Sequence, residues 1–251
     1  MNVAARLQQV ASANGSKDAL VRGNEVVYWT ALDARAGGFA HDLTEAGLGR
    51  GDCITIACGD PLETVIALIG GLLAGCTVAP INPRLTDDER NQILDQLSPD
   101  QVVTGVPVRE EFFDAVAIAE EDPAIILFTS GSTGAPKGVV LSHHAVNAGL
   151  DIWIEGALQT TPDDVVLSVL PLGHSYGLFG SVLSPLLSGA CTVLLPRFEI
   201  EEVLKTISRR RVTIFPGVAT MFRRLLDSDA LRHADLSSLR YVMTGAAPCP
   251  W

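Results

Sequence analysis

Apolar and polar positions along the chain follow helix-like and strand-like spacings in turn. The pattern predicts a helix from Thr30 towards Gly47. The later predicted elements are, in order, strand 53–58, a helix from Pro61, strand 76–81, a helix after Thr86 and strand 101–104. Helices that alternate with strands are typical of parallel sheets joined by crossover helices. The sequence "TDDE" at 86–89 also predicts a capping box, in which Glu89 pairs with the Thr86 cap.

Two regions of the chain resemble each other. Residues 72–89, "LLAGCTVAPINPRLTDDE", are matched by residues 186–202, "LLSGACTVLLPRFEIEE", and an amphipathic stretch and a β-rich run follow each. This internal repeat predicts an α/β fold of two side-by-side doubly wound subdomains with mainly parallel sheets. A ligand would then sit in the cleft between them, at the carboxyl ends of the strands. The alternative is a chance likeness between two segments of helix, glycine and strand.

Composition narrows the class of protein. With 251 residues, 47% hydrophobic and 19% charged, the chain is expected to be globular. A net charge of −11 disfavours nucleic acid and anionic membrane surfaces as partners. The uncharged runs 64–82 and 178–196 each read as a buried helix followed by a buried strand, so no membrane span is expected. Five scattered cysteines without a C-x-x-C pair, and no secretory signal, favour reduced thiols and a cytoplasmic location.

The candidate chemistry is concentrated after the apolar run "AIILF" at 124–128, which reads as a buried strand. The sequence "TSGSTGAPKG" follows, and its glycines allow backbone amides to approach a ligand. Those amides, together with four hydroxyls and the Lys137 ammonium, form a set of donors suited to phosphate oxygens. Lys137 lies between Pro136 and Gly138, so this is not the Gly-Lys-Ser/Thr loop of common nucleotidases. A flexible Ser/Gly linker is the alternative interpretation.

The segment "FTSGSTGAPKGVVLSH" at 128–143 closely resembles the phosphate-loop signature of the adenylate-forming superfamily. That superfamily comprises acyl- and aryl-CoA ligases, peptide-synthetase adenylation domains and beetle luciferases. "LPLGHSYGL" at 170–178 is similar to its Pro-x-x-His-x-x-Gly element, and "YVMTGAAP" at 241–248 to its adenine-side strand and loop. The resemblance covers nearly the whole chain. It implies that residues 1–251 form most of the large N-terminal adenylation domain.

The resemblance implies an activity and a set of site residues. ATP would activate a carboxylic acid as acyl-AMP, and the acyl group would then pass to a thiol, usually that of coenzyme A. The implied catalytic residues are Thr129, Lys137 and His174, with Thr129 also helping to hold Mg²⁺. The implied nucleotide-binding residues are Thr129, Ser130, Gly131, Ser132, Thr133, Gly134 and Lys137 around the phosphates, and Gly245, Ala246, Ala247 and Pro248 beside the adenine. The implied acyl pocket comprises His174, Tyr176, Gly177, Gly217 and Val218.

The sequence departs from the family pattern in two ways. Family members continue past Trp251 with a Mg²⁺-binding Glu, a ribose-binding Asp and a mobile C-terminal domain that carries a catalytic Lys. We therefore expect a truncated N-terminal portion that is inactive alone. The stretch 105–121 is also shorter than usual. A non-catalytic homologue that binds a nucleotide or a partner is the alternative.

The strongest rival is a serine hydrolase, because "GHSYG" at 173–177 fits the G-x-S-x-G nucleophile elbow. The interrupted strand before it and the position of the later His233 argue against a triad. His174, where peptide-synthetase domains usually carry an Asp, favours an unaminated acyl or aryl acid. His143 and His144 are expected to begin a helix capped by Ser142 and not to bind a metal. The particular acid, the thiol acceptor and the assembly stay open, and a homodimer is one possible assembly.

Overall fold

A computed structural model of the chain describes residues 1–129 and 136–246. Helices and strands alternate through most of it, as the spacing predicts. The helices are α1 Val3–Asn14, α2 Trp29–Glu45, α3 Pro61–Leu73, α4 Asp87–Leu97, α5 His143–Ile152, α6 Ser184–Leu187, α7 Ile200–Arg210 and α8 Ala219–Leu226. The strands are β1 Asp18–Arg22, β2 Glu25–Tyr28, β3 Cys53–Ile56, β4 Thr77–Pro80, β5 Gln101–Val103, β6 Pro123–Thr129, β7 Lys137–Ser142, β8 Val165–Ser168, β9 Cys191–Leu194, β10 Ile214–Gly217 and β11 Tyr241–Thr244. Two π-helical segments, Trp153–Leu158 and Tyr176–Leu183, and a 3₁₀ helix, Asp229–His233, complete the list.

The strands form two sheets. The six-stranded sheet has the order β11-β10-β8-β9-β1-β2, and the five-stranded sheet has the order β5-β3-β4-β6-β7. Most neighbouring pairs are parallel, as the sequence predicts. The exceptions are β1 with β2 and β6 with β7, which are antiparallel. Both antiparallel strands, β2 and β7, lie at an edge of their sheet.

The internal repeat seen in the sequence corresponds to a repeated topology. In one sheet β3, β4 and β5 take the spatial order β5-β3-β4; in the other, β8, β9 and β10 take the order β10-β8-β9. Helix α3 precedes β4 and α4 follows it, whereas the helical segment 176–187 precedes β9 and α7 follows it. In each unit the chain therefore leaves two adjacent central strands in opposite directions across the sheet. The place between those two strands is the switch point where doubly wound sheets bind ligands.

The main core lies where α1, α2 and α3 pack with strands of both sheets. Trp29, Leu43 and Leu72 are among its fully buried side chains. The uncharged runs predicted to be buried helices followed by strands are confirmed, because α3 with β4 and the segment 176–187 with β9 are almost entirely inside the protein. Among residues 1–129 and 136–246, no helix is long and apolar enough to cross a membrane.

Residues 105–121, which we call the strap, contain no helix or strand and cross the surface of α2. A Cβ atom added to Gly38 would lie 2.3 Å from the Arg109 carbonyl oxygen, and one added to Gly37 would lie 2.2 Å from the Glu111 carbonyl oxygen. The Arg109 guanidinium pairs with Asp42 at 2.8 Å, with Glu45 at 3.0 Å and with Glu111 at 2.7 Å. The paired glycines of α2 thus provide the close approach that the strap requires.

Candidate active site

The two ends of the predicted phosphate loop lie side by side. Thr129 is the last residue of β6 and is paired with Lys137, the first residue of β7. The Thr129 hydroxyl donates to the Lys137 carbonyl oxygen at 3.5 Å, and both side chains are exposed. β6 is parallel to β4, as predicted, but it is also antiparallel to β7, which the sequence analysis did not predict. The loop therefore connects two paired strands.

The predicted phosphate donors between these ends, Ser130, Gly131, Ser132, Thr133 and Gly134, lie outside the described residues. The predicted site residues on either side of them, Thr129 and Lys137, are described. Both ends are held at the carboxyl end of β6, next to the carboxyl end of β4. This is the edge of the sheet at which α/β folds bind ligands.

A cleft of about 310 Å³ opens beside the base of the loop. It is walled by α4 on one side and by the start of the segment 173–177 on another. The residues that line it are Pro80, Ile81, Asn82, Leu85, Glu89, Gln92, Ile93, Phe128, Thr129, Pro136, Gly173 and His174. His174 is exposed, so its side chain is accessible from solvent. Thr129 and His174, which are distant in sequence, therefore share one cleft.

The cleft does not coincide with the two switch points. Those points face each other across a cavity of only about 50 Å³ that includes Cys58, Ile81, Leu170 and Pro196 among its lining residues. Arg84 closes this junction, because its guanidinium donates to the Pro196 carbonyl oxygen at 2.7 Å. Direct packing of the two units fills the predicted position, and the larger cleft is displaced towards β6 and α4.

Gly173 lets the two units approach closely. A Cβ atom at this position would lie 2.7 Å from the Asn82 backbone nitrogen, closer than any side chain could be accommodated without a shift. His174 follows directly and is carried to the mouth of the cleft. The tight contact therefore positions the predicted acyl-pocket histidine.

The predicted adenine side lies at the end of β11. Gly245 follows that strand, and its backbone N–H donates to the Gly217 carbonyl oxygen at 3.3 Å. The Tyr176 hydroxyl donates to the Met243 carbonyl oxygen at 2.8 Å. Three predicted site residues, Tyr176, Gly217 and Gly245, are thus brought together. Ala246 is exposed with a φ of +63°, and Ala247 and Pro248 lie outside the described residues.

The other two predicted pocket residues, Gly177 and Val218, lie outside the cleft beside Thr129. Gly177 is buried, and a Cβ atom there would lie 2.3 Å from the Pro171 carbonyl oxygen, so the close packing of the π-helical segment on Pro171 needs a glycine. Val218 is half-buried and stands immediately before α8.

Sequence reasoning missed Trp153, whose indole stacks on the Tyr176 ring with centroids 5.8 Å apart and planes 20° apart. It also missed the support of β11 by Asp164, which is 4% exposed. The Asp164 carboxylate accepts from Arg240 at 2.8 Å and from the Thr213 hydroxyl at 2.6 Å. Burial opposes ionisation, but these hydrogen bonds outweigh it and lower the pKa of Asp164. No local pattern marks either residue, because their partners are distant in sequence.

The hydrolase alternative finds little geometric support. β8 ends at Ser168, and Ser175 has ordinary helical torsions, φ −53° and ψ −43°, so the segment is not a strained strand-to-helix elbow. His233 ends a 3₁₀ helix whose neighbours include α7 and α8. The prediction that Ser142 caps a helix beginning at His143 is confirmed, since its hydroxyl accepts from the Ala145 N–H at 3.2 Å. The described ranges contain no cluster of three metal-ligating side chains.

Comparison with known proteins identifies the family. Residues 7–118 and 106–251 match the family model of AMP-binding enzymes, so the chain belongs to that family. A 4-coumarate–CoA ligase 3 of Arabidopsis thaliana is 32% identical over 83% of this chain and 44% of its own length. An indenyl-propanoyl:CoA ligase of Rhodococcus jostii is 28% identical over 97% of this chain and 57% of its own length. The chain thus spans about half the length of the curated relatives it matches.

Solved structures agree with the fold. ATP-bound MatB from Rhodopseudomonas palustris superimposes with a TM-score of 0.90 at 26% identity, over 99% of this chain and 55% of MatB. The anthranilate CoA ligase AuaEII in complex with anthranoyl-AMP gives a TM-score of 0.92 at 22% identity, over 100% of this chain and 55% of AuaEII, and supports the fold alone. The expected α/β architecture, that of the N-terminal domain of adenylate-forming enzymes, is confirmed.

The two family-model matches meet in the strap, and one relative is longer than this chain across the matched region. The two matches to the family model overlap at 106–118, within the strap. The match to the Rhodococcus jostii ligase runs over 295 aligned positions, 44 more than this chain has residues. The relative therefore has residues inside the matched region that have no counterpart here.

Proposed function

We propose that the protein containing these residues activates a carboxylic acid with ATP and transfers the acyl group to the thiol of coenzyme A. The observation that carries the proposal is the shared cleft. Thr129 at the base of the predicted phosphate loop and His174 of the predicted acyl element both line it. Membership of the AMP-binding enzyme family and the likeness to CoA ligases support the same reaction.

In the first step a carboxylate oxygen attacks the α-phosphorus of ATP. The bond from that phosphorus to the bridging oxygen breaks, and pyrophosphate leaves with the bonding electrons. We assign Lys137 to offset charge on the departing phosphates, because its ammonium is exposed at the end of the loop. His174 would form a wall of the acyl pocket and hold the acid near the loop.

Mg²⁺ would accompany ATP and neutralise phosphate charge. Mg²⁺ usually keeps several waters and takes one or two protein oxygens together with the substrate phosphates. The exposed Thr129 hydroxyl at the loop base fits that modest demand.

In the second step the thiol loses its proton to solvent, and its sulfur attacks the acyl carbonyl carbon. The bond from that carbon to the phosphate oxygen then breaks, and AMP leaves with the bonding electrons. Two relatives named as CoA ligases support coenzyme A as the acceptor. An acyl or aryl acid without an amino group is favoured. An amino acid would need a carboxylate to pair with its ammonium group. Among the described residues that line the cleft, the carboxylate is Glu89, and it already accepts from the Thr86 N–H at 2.8 Å and the Thr86 hydroxyl at 2.9 Å as part of a helix cap.

The reduced state of the described cysteines fits a cytoplasmic location. Burial raises the pKa of Cys58 and of Cys76 to about 12, so both stay protonated and unreactive. Neither is paired in a disulfide.

The test is carboxylate-dependent exchange of pyrophosphate into ATP, with a panel of short, medium, long and aromatic acids. It is run on residues 1–251 and on a longer form with the length of the relatives. We expect exchange from the longer form and none from the shorter, because the resemblance assigns further nucleotide-binding residues to sequence beyond 251. Robust exchange by the shorter form would contradict the inactivity of these residues alone. Failure of the longer form with every acid would favour a non-catalytic homologue.

A further inference from the structure

Tyr176 lies between the two halves of the candidate site. It belongs to the element at 170–178 that carries His174, but its hydroxyl donates to Met243 of β11, 67 residues away in the chain. Burial raises the pKa of Tyr176 to about 12, so the hydroxyl keeps its proton and remains a donor throughout the physiological pH range. The hydroxyl is therefore used by the protein and not left free for a substrate.

The Tyr176 ring is held by close neighbours. The Trp153 indole stacks on the ring at 5.8 Å between centroids. A Cβ atom added to Gly180 would lie 3.1 Å from Tyr176 Cδ2, and one added to Gly245 would lie 3.2 Å from both Cε1 and Cζ. Glycines at these two positions thus allow the backbone to pack directly on the ring, which restricts its movement.

Besides the Tyr176 hydroxyl, the carboxyl end of β11 is held by backbone pairing with β10, which extends to Gly217 with Thr244, and by the Gly245 N–H bond to the Gly217 carbonyl oxygen. β11 is an edge strand, paired with β10 alone among the described strands. Tyr241, Val242 and Thr244 are exposed, and only Met243 of the strand is half-buried. Asp164 and Arg240 hold the amino end of the strand, whereas the Tyr176 hydroxyl is the side-chain group that bonds to its other half, at Met243, two residues before the predicted adenine-side Gly245.

We infer that Tyr176 is a positioning residue, which holds the adenine-side end of β11 through its hydroxyl and so couples the acyl element to the nucleotide site. This inference rests on the proposed function. It also differs from the sequence-based expectation, in which Tyr176 lines the acyl pocket. The group it serves is the nucleotide, and it acts through the β11 backbone without touching the nucleotide.

The test compares Tyr176→Phe with wild type in the longer form of the protein. The substitution removes the hydroxyl and keeps the ring. We expect the KM for ATP and the Kd for AMP to rise roughly two- to tenfold, the range for one lost hydrogen bond, while the KM for the acid stays unchanged. Tyr241→Phe is the matched control, because it removes a hydroxyl from the same strand at a side chain that is 41% exposed. It is expected to leave all three constants unchanged.

Each other outcome overturns the inference in its own way. A rise in the KM for the acid alone would mean that the Tyr176 hydroxyl contacts the acid. Equal changes for acid and nucleotide would indicate a general structural effect, and no change would mean that the bond to Met243 is dispensable. If wild type itself binds neither ATP nor AMP, the proposed function fails, which is a separate result.

A second variant serves if Tyr176→Phe does not fold. Gly180→Ala places a methyl group 3.1 Å from the Tyr176 ring and 3.2 Å from Trp153, on the side away from the predicted adenine residues. It should displace the ring and weaken nucleotide binding in the same selective manner. Unchanged nucleotide constants in Gly180→Ala would overturn the inference.

Discussion

Thr129 and Lys137 face each other across the antiparallel pair of β6 and β7, with the Thr129 hydroxyl 3.5 Å from the Lys137 carbonyl oxygen. Eight positions separate them in sequence, yet the sheet holds them as neighbours. The backbone of each is fixed by strand pairing, whereas both side chains are exposed. The strand pairing therefore places the Thr129 hydroxyl and the exposed Lys137 side chain on adjacent strands at the base of the predicted phosphate loop.

Replacing Lys137 by Ala in the longer form of the protein should weaken binding of ATP more than binding of AMP. The lost ammonium would have met the pyrophosphate portion, which AMP lacks. One charge-assisted contact is worth about 1.5 to 3 kcal/mol, or roughly ten- to a hundredfold in Kd. Titration calorimetry with both nucleotides measures the difference. Lys205→Ala, at an exposed position of α7, is the control and should change neither Kd. Equal losses for ATP and AMP in Lys137→Ala would mean that this lysine does not serve the phosphates.

A fluorophosphonate probe should not label Ser175. The residue has helical torsions and lacks the strained turn that exposes a hydrolase nucleophile. Mass spectrometry of the probe-treated protein, with Ser175→Ala as the control, measures the labelling. Stoichiometric modification of Ser175 that disappears in the alanine variant would instead support the hydrolase.

The stability of the protein should fall as the pH drops from about 6.5 towards 4, with His143 as one cause. His143 is fully buried, and its Nδ1 accepts from the Val3 N–H at 3.2 Å. Burial and the nearby amino terminus lower its pKa to about 4, and Asp122 opposes this only in part. Between the two pKa values the unfolded chain binds the proton and the folded chain does not. Acid therefore favours unfolding, by about 1.4 kcal/mol per pH unit within this window.

Denaturant unfolding at several pH values tests this contribution. His143→Asn keeps an acceptor at the position of Nδ1 and does not titrate, so its free energy of unfolding should depend less on pH between 4 and 6.5 than that of wild type. His144→Asn changes the exposed neighbour and should keep the wild-type profile. Identical profiles for His143→Asn and wild type would exclude His143 as a source of acid sensitivity.

Gly38→Ala should destabilise the protein. The added methyl would lie 2.3 Å from the Arg109 carbonyl oxygen, so the strap or α2 must shift. Overpacking of this kind costs about 1 to 3 kcal/mol. Gly149→Ala is a matched control within α5, because nothing lies within 4 Å of the added atom. It should stabilise the helix by roughly 0.5 to 1 kcal/mol. If Gly38→Ala is as stable as wild type, the strap does not depend on this contact.

The local elements could be predicted from sequence because their signals are local. The capping box at Thr86 and Glu89 is present as predicted, with both reciprocal hydrogen bonds. α3 begins at Pro61 after the Asp60 cap, and the repeated order of helix and strand corresponds to a repeated topology. Capping residues, proline and the period of apolar positions act over a few residues, so one sequence is enough to recognise them.

The candidate site divides in the same way. The sequence by itself determined the prediction of a phosphate-binding segment, because glycines, hydroxyls and one lysine at fixed spacing are typical of that chemistry, and the family resemblance added the predicted acyl pocket. Only the tertiary structure decided that Thr129 and His174 share a cleft, that the cleft lies beside α4 and not at the switch points, and that the Tyr176 hydroxyl belongs to β11. These relationships join residues far apart in the chain. They depend on how side chains pack within a few ångströms of one another, and no short stretch of sequence reveals that packing.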